Sequence, residues 1–282
     1  MKVVSSVYQL TVFLANRSKR DSIGFVPTMG ALHMGHASLI KKSISQNSLS
    51  ICSIFVNPTQ FNNKKDFENY PDSLNKDLKL LKEIGCDVVF TPSEKAIYPG
   101  GLAKSLFDFG HLDKVMEGVN RPGHFNGVAT VVSRLFEIIK PHRAYFGEKD
   151  FQQLVIIKSL AAQKFKSIQI IPCITLREKD GVAMSSRNLH LDNRYRAAAP
   201  RIYQRLLFVQ DHVNNISVSE LKSWVTNAFK KDEDLVLEYF EIVDAKSLKK
   251  STNWSDFAKH VACIAVFAGT TRLIDNILLE IN

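Results

Sequence analysis

Cysteine is scarce and unclustered: there are four in 282 residues, the nearest two, Cys52 and Cys86, lie 34 positions apart, and no C-x-x-C pair occurs. That excludes a disulfide-stapled scaffold and a structural zinc site, and it is the pattern of reduced, buried thiols in a cytoplasmic protein. Long apolar runs are missing as well; no stretch approaches the roughly 18 residues that a membrane span requires. The opening segment, with Lys2, Ser5, Ser6 and Gln9, is too polar for a secretory signal. Nine prolines and 13 glycines, without repeats or low-complexity tracts, exclude a fibre and a disordered tail. The expectation is a cytoplasmic globular protein with no membrane partner.

Acidic residues are in deficit, 28 against 37 Lys plus Arg, for a formal net charge of +9. The excess is uneven: through Leu176 there are 22 basic against 14 acidic residues, and from Arg177 onward 15 against 14. A basic first two-thirds suits a polyanion, either nucleic acid or a phosphorylated small molecule, and a merely basic surface gives the same arithmetic. With 45% hydrophobic and 23% charged residues in 282, the chain is long enough for one large or two modest domains with a full core.

Apolar runs and helical patterns alternate through residue 176. Ile23–Val26 reads as a short strand stopped by Pro27, Leu49–Val56 as a longer one ended by Asn57-Pro58, and Asp87–Phe90 as a third. A helix precedes the third, with a start signal at Asp72/Ser73, apolar Leu74, Leu78, Leu81 and Ile84 at helical spacing, and a stop at Gly85. Gly127–Ile139 carries apolar triplets and stops before Pro141; Ala144–Phe146 reads as a strand, Phe151–Ala162 as a helix and Ile168–Leu176 as the closing strand. This alternation predicts an α/β fold, a Rossmann-like doubly wound parallel sheet over residues 1–176. Beyond Arg177, Asp192–Val213 and Ser219–Lys230 read as helices. Leu235–Val243, Val261–Ala268 and Arg272–Leu279 read as strands, the last two joined by a Gly269-Thr270-Thr271 turn. Residues 177–282 are therefore expected to form a smaller α+β domain, with a hinge at Arg177–Gly181.

The richest segment is Pro27-Thr28-Met29-Gly30-Ala31-Leu32-His33-Met34-Gly35-His36. It follows the first strand and enters a helix, so it lies at the carboxyl edge of the sheet, where ligands bind. Gly30 and Gly35 permit close backbone approach, and a helix N-terminus attracts phosphate. Their spacing is that of a P-loop, but His36-Ala37 stands where Lys-Ser/Thr is needed, and there is no G-x-G-x-x-G. Two histidines three apart are structural, metal-binding or phosphate-facing on their own terms; the zincin spacing with its Glu is absent.

His33-Met34-Gly35-His36 resembles the HxGH signature of the class I aminoacyl-tRNA synthetase and nucleotidyltransferase superfamily. Four further segments, Phe55–Phe61, Arg121–Phe125, Phe146–Gln153 and Asp180–Asn188, together with Pro27–Gly30, resemble the pantothenate synthetase (pantoate–β-alanine ligase) family in order and spacing over nearly the whole chain. The resemblance implies ATP-dependent condensation of pantoate with β-alanine, through a pantoyl adenylate, releasing AMP and pyrophosphate. It implies catalytic roles for His36, His33 and Lys149. The ATP site it implies comprises Met29, Gly30, Ala31, Leu32, His33, Met34, Gly35, His36, Gly147, Glu148, Lys149, Asp150, Leu176, Met184, Ser185, Ser186 and Arg187. Pantoate and β-alanine fall to Gln60, Gln153, Met29, Phe61, Arg121 and His124. The chemistry fits: histidines donate to phosphate oxygens, Lys149 offers a point charge, Asp150 suits a ribose hydroxyl, and neutral amides suit a hydroxylated carboxylate. Met184–Asn188 resembles a degenerate KMSKS signature, with two hydroxyls and the Arg187 fork beside the hinge; on its own it reads equally as a solvated loop.

The family resemblance further implies Mg²⁺ with ATP, Asp77 as a metal ligand, and a homodimer. The chain departs from the family where it reads Lys64-Lys65-Asp66 and Tyr70-Pro71-Asp72 in place of acidic residues and Tyr-Pro-Arg. Two competing readings remain at this level. Another HxGH enzyme would not be expected to carry Gln60, Gln153 and Arg121–His124 together. A nucleic-acid-binding protein is disfavoured by the nearly neutral last third and the absence of an RNP or arginine-rich tract, so nucleic acid is not an expected partner.

Overall fold

A computed structural model describes the chain except residues 19–20, 63–66, 69, 72, 103–105 and 282. The sequence departures at Lys64, Lys65, Asp66 and Asp72 lie outside the described residues. The first part of the chain runs β1 (Lys2–Val4), α1 (Val7–Ala15), β2 (Ile23–Thr28), α2 (Met34–Gln46), β3 (Leu49–Ile54), α3 (Leu74–Glu83) and β4 (Val88–Phe90). It continues through α4 (His124–Ile139), β5 (Arg143–Gly147), α5 (Phe151–Lys164) and β6 (Gln169–Cys173). All six strands pair in parallel in the order β1-β4-β3-β2-β5-β6. From β2 the chain winds one way through β3 to β4, then returns to place β5 on the other side of β2. The gap outside the carboxyl ends of β2 and β5 is therefore the topological switch point, where open α/β sheets bind ligands. The doubly wound α/β expectation holds.

Pro27 does not stop β2, which runs on to Thr28 beside Ile54. Alternate residues of β2 face β3 and β5, and Pro27 shares the β5-facing side with Ile23, whose carbonyl accepts from His142. Pairing with β5 has already ended at Phe25, so a residue without an N–H loses no ladder bond there. β6 is shorter than expected, ending at Cys173 because its partner β5 ends opposite at Gly147; Ile174, just beyond, is 82% exposed. The sheet is covered on both faces. Phe25, Ile51, Val88 and Phe90 pack with α4 and α5 on one side, and Val26, Cys52, Val89 and Tyr145 pack with α2 and α3 on the other.

The second part of the chain runs α6 (Asn193–Ala198), α7 (Pro200–His212), α8 (Val218–Lys230), β7 (Leu235–Asp244), β8 (His260–Ala268) and β9 (Thr271–Leu279). The helix expected over Asp192–Val213 is two helices. Pro200 has no N–H to return to Arg196, so α6 stops and Pro200 opens α7 at its first position. The three strands form an antiparallel sheet in the order β7-β8-β9. Leu206, Val209, Leu221 and Val225 of the helices cover one face of it, over Ile264 and Val266. Val243, Val261 and Cys263 meet Val115, Met116 and Val155 of the first part in a smaller apolar cluster.

Candidate active site

The turn after β2 sets the geometry of the crevice. Gly30 (φ +86°) and Ala31 (φ +49°) both take left-handed conformations, and the chain then enters α2 with His33 as its N-cap. The His33 ring folds back so that its Nδ1 accepts from Gly35 N at 3.1 Å. A Cβ at position 35 would meet that ring at 2.8 Å, which is the reason glycine separates the two histidines. His36 Nδ1 in turn accepts from His33 N at 3.3 Å, and the two rings lie with centroids 4.1 Å apart. Both Nδ1 atoms are thus acceptors, so in the neutral rings both protons sit on Nε2. Burial, then Lys149, holds His33 down to about 4. Burial, then the neighbouring His33, holds His36 down to about 3. At neutral pH these are two uncharged donors.

They face a crevice of ≈ 230 Å³ at the switch point, with Met29, Gln60, Lys149, Asp150, Gln153 and Arg187 among its lining residues. Gln60 ends a single 3₁₀ turn, Pro58–Gln60, capped by Asn57. Its amide is held by Asn57 Nδ2 at 3.1 Å and rests on Met29 Sδ at 2.9 Å, a weak acceptor that an incoming oxygen replaces readily. Lys149 and Asp150 come from a 3₁₀ turn between β5 and α5. The two adjacent glutamines divide their work. Gln152 is buried, donating to Leu112 O and Val115 O and accepting from Glu117 N, while Gln153 faces the crevice. Leu176, Met184, Ser185, Ser186 and Arg187 also line it; Met184 Cβ lies 3.6 Å from where a Cβ on Gly35 would stand, and Met184 N donates to Leu176 O. Ser186 also hydrogen-bonds Tyr70, whose hydroxyl pKa burial pushes up.

A second cavity of ≈ 820 Å³ adjoins it, between the 185–190 segment and the antiparallel sheet, with Lys149, Asp150, Arg121, Arg187 and Arg272 on its walls. An ion network crosses beside it. Glu117 is 6% exposed and accepts from both terminal nitrogens of Arg272 at 2.8 and 2.6 Å and from Tyr239 Oη at 2.8 Å. Burial alone would raise the Glu117 pKa, but the Arg272 bonds hold it below the usual range. Arg272 also bonds Glu238, and Asn276 donates to the carbonyls of Glu148 and Lys149 at 2.9 Å each. The antiparallel sheet thereby holds the Lys149 turn from outside.

Several expected site residues lie elsewhere. Gly30, Ala31, Leu32 and Met34 do not line the crevice; the N–H groups of Ala31 and Leu32 are taken by Asp77. Glu148 presents its carbonyl to Asn276, and its side chain does not line the crevice. Phe61 packs edge-on against Tyr70 and Phe67. His124 is buried, bonding Gln60 O through Nδ1 at 2.7 Å, with burial and then Arg121 holding its pKa down to about 4. It reaches a small third cavity shared with Arg121, Lys149 and Gln153. Arg121 sits 3.8 Å from Glu117. Asp77 does not fit a metal ligand: it is 2% exposed, and both its oxygens already accept hydrogen bonds from Ala31 N, Leu32 N and Ser73 Oγ. Glu117 and Arg272 carried no signal in the sequence, while Asn57 and Tyr70 stood within the segments Phe55–Phe61 and Tyr70-Pro71-Asp72 without a role of their own.

Comparison with known proteins agrees with this geometry. The profile of the family described as pantoate-beta-alanine ligase matches residues 2–278. A pantothenate synthetase of Azobacteroides pseudotrichonymphae is 50% identical over 279 residues, covering 98% of this chain and 99% of that protein, and one from Bacteroides fragilis is 47% identical over 278 residues, covering 98% of each. The crystal structure of the Thermus thermophilus pantothenate synthetase superposes with a TM-score of 0.91 at 38% identity, covering 98% of this chain and 99% of that one. The Francisella tularensis pantoate-beta-alanine ligase, complexed with beta-gamma ATP and beta-alanine, does so at 0.82 and 39%, covering 99% and 97%. With a parallel sheet open at its switch point, two neutral histidine donors at that opening and a family match along almost its full length, this chain belongs to the pantoate–β-alanine ligase family.

Proposed function

We propose that this protein condenses pantoate with β-alanine, driven by ATP, in two steps within the crevice at the β2/β5 switch point. The observation that carries this reading is the convergence there of His33, His36 and Lys149 with the two amides Gln60 and Gln153. A pantoate carboxylate oxygen attacks the α-phosphorus of ATP, the bond to the bridging oxygen breaks, and pyrophosphate leaves. The β-alanine amine then attacks the acyl carbon, AMP leaves with the electron pair, and the amine proton passes to solvent.

His33 and His36 donate from Nε2 to the phosphoryl oxygens on which charge grows, and Lys149 adds a positive charge beside them. Donors of this kind are each worth about 10²–10³ in rate. Gln60 and Gln153 hold the pantoate hydroxyls and carboxylate by neutral hydrogen bonds, which leaves the carboxylate nucleophilic. Ser185, Ser186 and Arg187 hold the triphosphate, Asp150 takes a ribose hydroxyl, and Arg121 meets a departing or incoming anion. Mg²⁺ would accompany the nucleotide and supply shielding of its phosphate charge.

Further parts of the reading rest on the family resemblance. Residues 1–176 act as the ATP- and pantoate-binding domain, and residues 177–282 close over them and exclude water from a hydrolysable acyl adenylate. The protein works as a homodimer in the cytoplasm, where its four unpaired, buried cysteines stay reduced. The deciding test is exchange of labelled pyrophosphate into ATP with Mg²⁺, with and without pantoate, leaving β-alanine out. Pantoate-dependent exchange is expected. No exchange, together with no AMP when β-alanine is added, overturns the reading.

A further inference from the structure

We infer that Asp77 is a positioning residue for the two histidines and not a ligand of the divalent ion: its carboxylate fills the backbone cradle of residues 30–32 and thereby aims both Nε2–H groups into the crevice. The cradle has the spacing of a phosphate-binding loop, and two successive left-handed residues turn neighbouring N–H groups toward one point, an arrangement that holds anions. Here the anion is part of the chain. Asp77 Oδ2 accepts from Ala31 N at 3.0 Å, Oδ1 accepts from Leu32 N at 2.8 Å, and Ser73 Oγ donates to Oδ2 at 3.1 Å while accepting from Ala31 N at 3.1 Å.

Three features make this a built support. The carboxylate is 2% exposed, so an unmet lone pair would be costly and the N–H partners are obligatory. Ala31, at φ +49°, adopts a conformation that residues with a Cβ avoid; the bonds to Asp77 are what hold it. Gly30 suits its left-handed φ of +86°, and a Cβ there would also lie 3.1 Å from Asp77 Oδ2. The next residue after the clamped Leu32 N–H is His33, in extended conformation at φ −134° and ψ 177° as the N-cap. If the turn relaxes, His33 N no longer meets His36 Nδ1 and Gly35 N no longer meets His33 Nδ1. The tautomer and aim of both rings are then lost together. Backbone amides already satisfied by Asp77 cannot serve phosphate, so that work passes to side chains.

The kinetic part of this inference rests on the ligase reading; the structural part does not. The experiment uses the full chain with ¹⁵N-labelled imidazoles, comparing wild type, Asp77→Asn, Asp77→Ala and Ser73→Ala. Wild type should show His33 and His36 as neutral Nε2–H tautomers, without substrate, from pH 8 to 5. Asp77→Asn sets an amide N–H₂ against a backbone N–H, and both rings should move to mixed tautomers. In pantoate-dependent pyrophosphate release, kcat should fall about 10²-fold, with KM for ATP and half-saturating Mg²⁺ within about twofold of wild type. Ser73→Ala, which keeps both carboxylate contacts, should lose less than about tenfold on the same scale. Unchanged histidine spectra in Asp77→Asn overturn the proposal. So does a tenfold or greater rise in half-saturating Mg²⁺, which is the signature of a lost metal ligand. If Asp77→Ala does not fold, the other two variants decide. If wild type shows no pantoate-dependent release, the ligase reading fails while the tautomer comparison still judges Asp77.

Discussion

Lowering the pH from 8 to 5.5 separates a neutral histidine donor from a charged one. With His33 held down to about 4 and His36 to about 3, even at pH 5 only about one His33 in ten is protonated. The rate of adenylation at saturating Mg²⁺, read as kcat/KM for ATP, should therefore show no inflection near 6.5. An imidazolium donor would instead lose activity about tenfold per unit as pH rises past 6.5. Such a decline would refute the assignment of Nε2–H on uncharged rings. Stability moves the other way with acid. His33, His36 and His124 all have folded pKa values below the unfolded value of 6.5, so the unfolded chain binds more protons between about 3 and 6.5. Their contribution is complete above 6.5 and is lost as pH falls through that window. For the deeply buried His124, a depression from 6.5 to about 4 corresponds to about 3 kcal/mol at 1.36 kcal/mol per unit. Urea midpoints from pH 7 to 4.5 should fall steeply in wild type and less steeply in His124→Gln; parallel slopes would contradict the account.

Three further outcomes are expected. Arg272→Met leaves the Glu117 carboxylate buried without its bidentate partner and should cost about 3 kcal/mol by urea unfolding, most of it recovered when Glu117→Gln is added; a loss under about 0.5 kcal/mol would mean the network holds nothing. Gly35→Ala puts a Cβ 2.8 Å from the His33 ring and should lower kcat at least about tenfold while the thermal midpoint barely moves, a pattern that wild-type turnover would exclude. Gln153→Ala should weaken pantoate binding by calorimetry while leaving ATP affinity within about twofold; equal losses for both ligands would remove Gln153 from the pantoate site.

The strands and the crevice were legible because their signals are local. Runs such as Leu49–Ile54 and Val88–Phe90 are apolar or nearly so, as strands buried on both faces must be, and the glycine- and histidine-rich turn follows the Ile23–Val26 run directly. Periodicity could not see the break at Pro200, because apolar Ile202, Leu206 and Val209 keep the same spacing on its far side. It also could not tell that Pro27 sits where β2 and β5 have already parted. β1 and α1 escaped notice because a three-residue strand with two exposed positions and a helix with one buried residue leave little pattern. The Glu117–Arg272 pair spans 155 positions, and nothing near either residue announces the other.

The sharpest difference between sequence and structure concerns the loop from Gly30 to Gly35, and it is chemical. By spacing alone, the two glycines read as places where backbone approaches a ligand. Both instead make room for the chain's own side chains, Gly30 for the Asp77 carboxylate and Gly35 for the His33 ring. A P-loop presents backbone N–H groups to phosphate and adds a lysine at its end; here the N–H groups of Ala31 and Leu32 are satisfied internally, and on the proposed reading the donors are imidazoles. The exchange has a mechanistic consequence. A backbone N–H and a neutral imidazole Nε2–H are each one uncharged, directed donor, but a side chain can be aimed at oxygens that the loop backbone, held by Asp77, does not serve. Interactions that strengthen only as the α-phosphoryl oxygens gain charge are the ones that raise kcat. On the proposed reading, a loop whose amides are committed to Asp77 is suited to attack at the α-phosphorus, with the positive charge of Lys149 beside the two histidines.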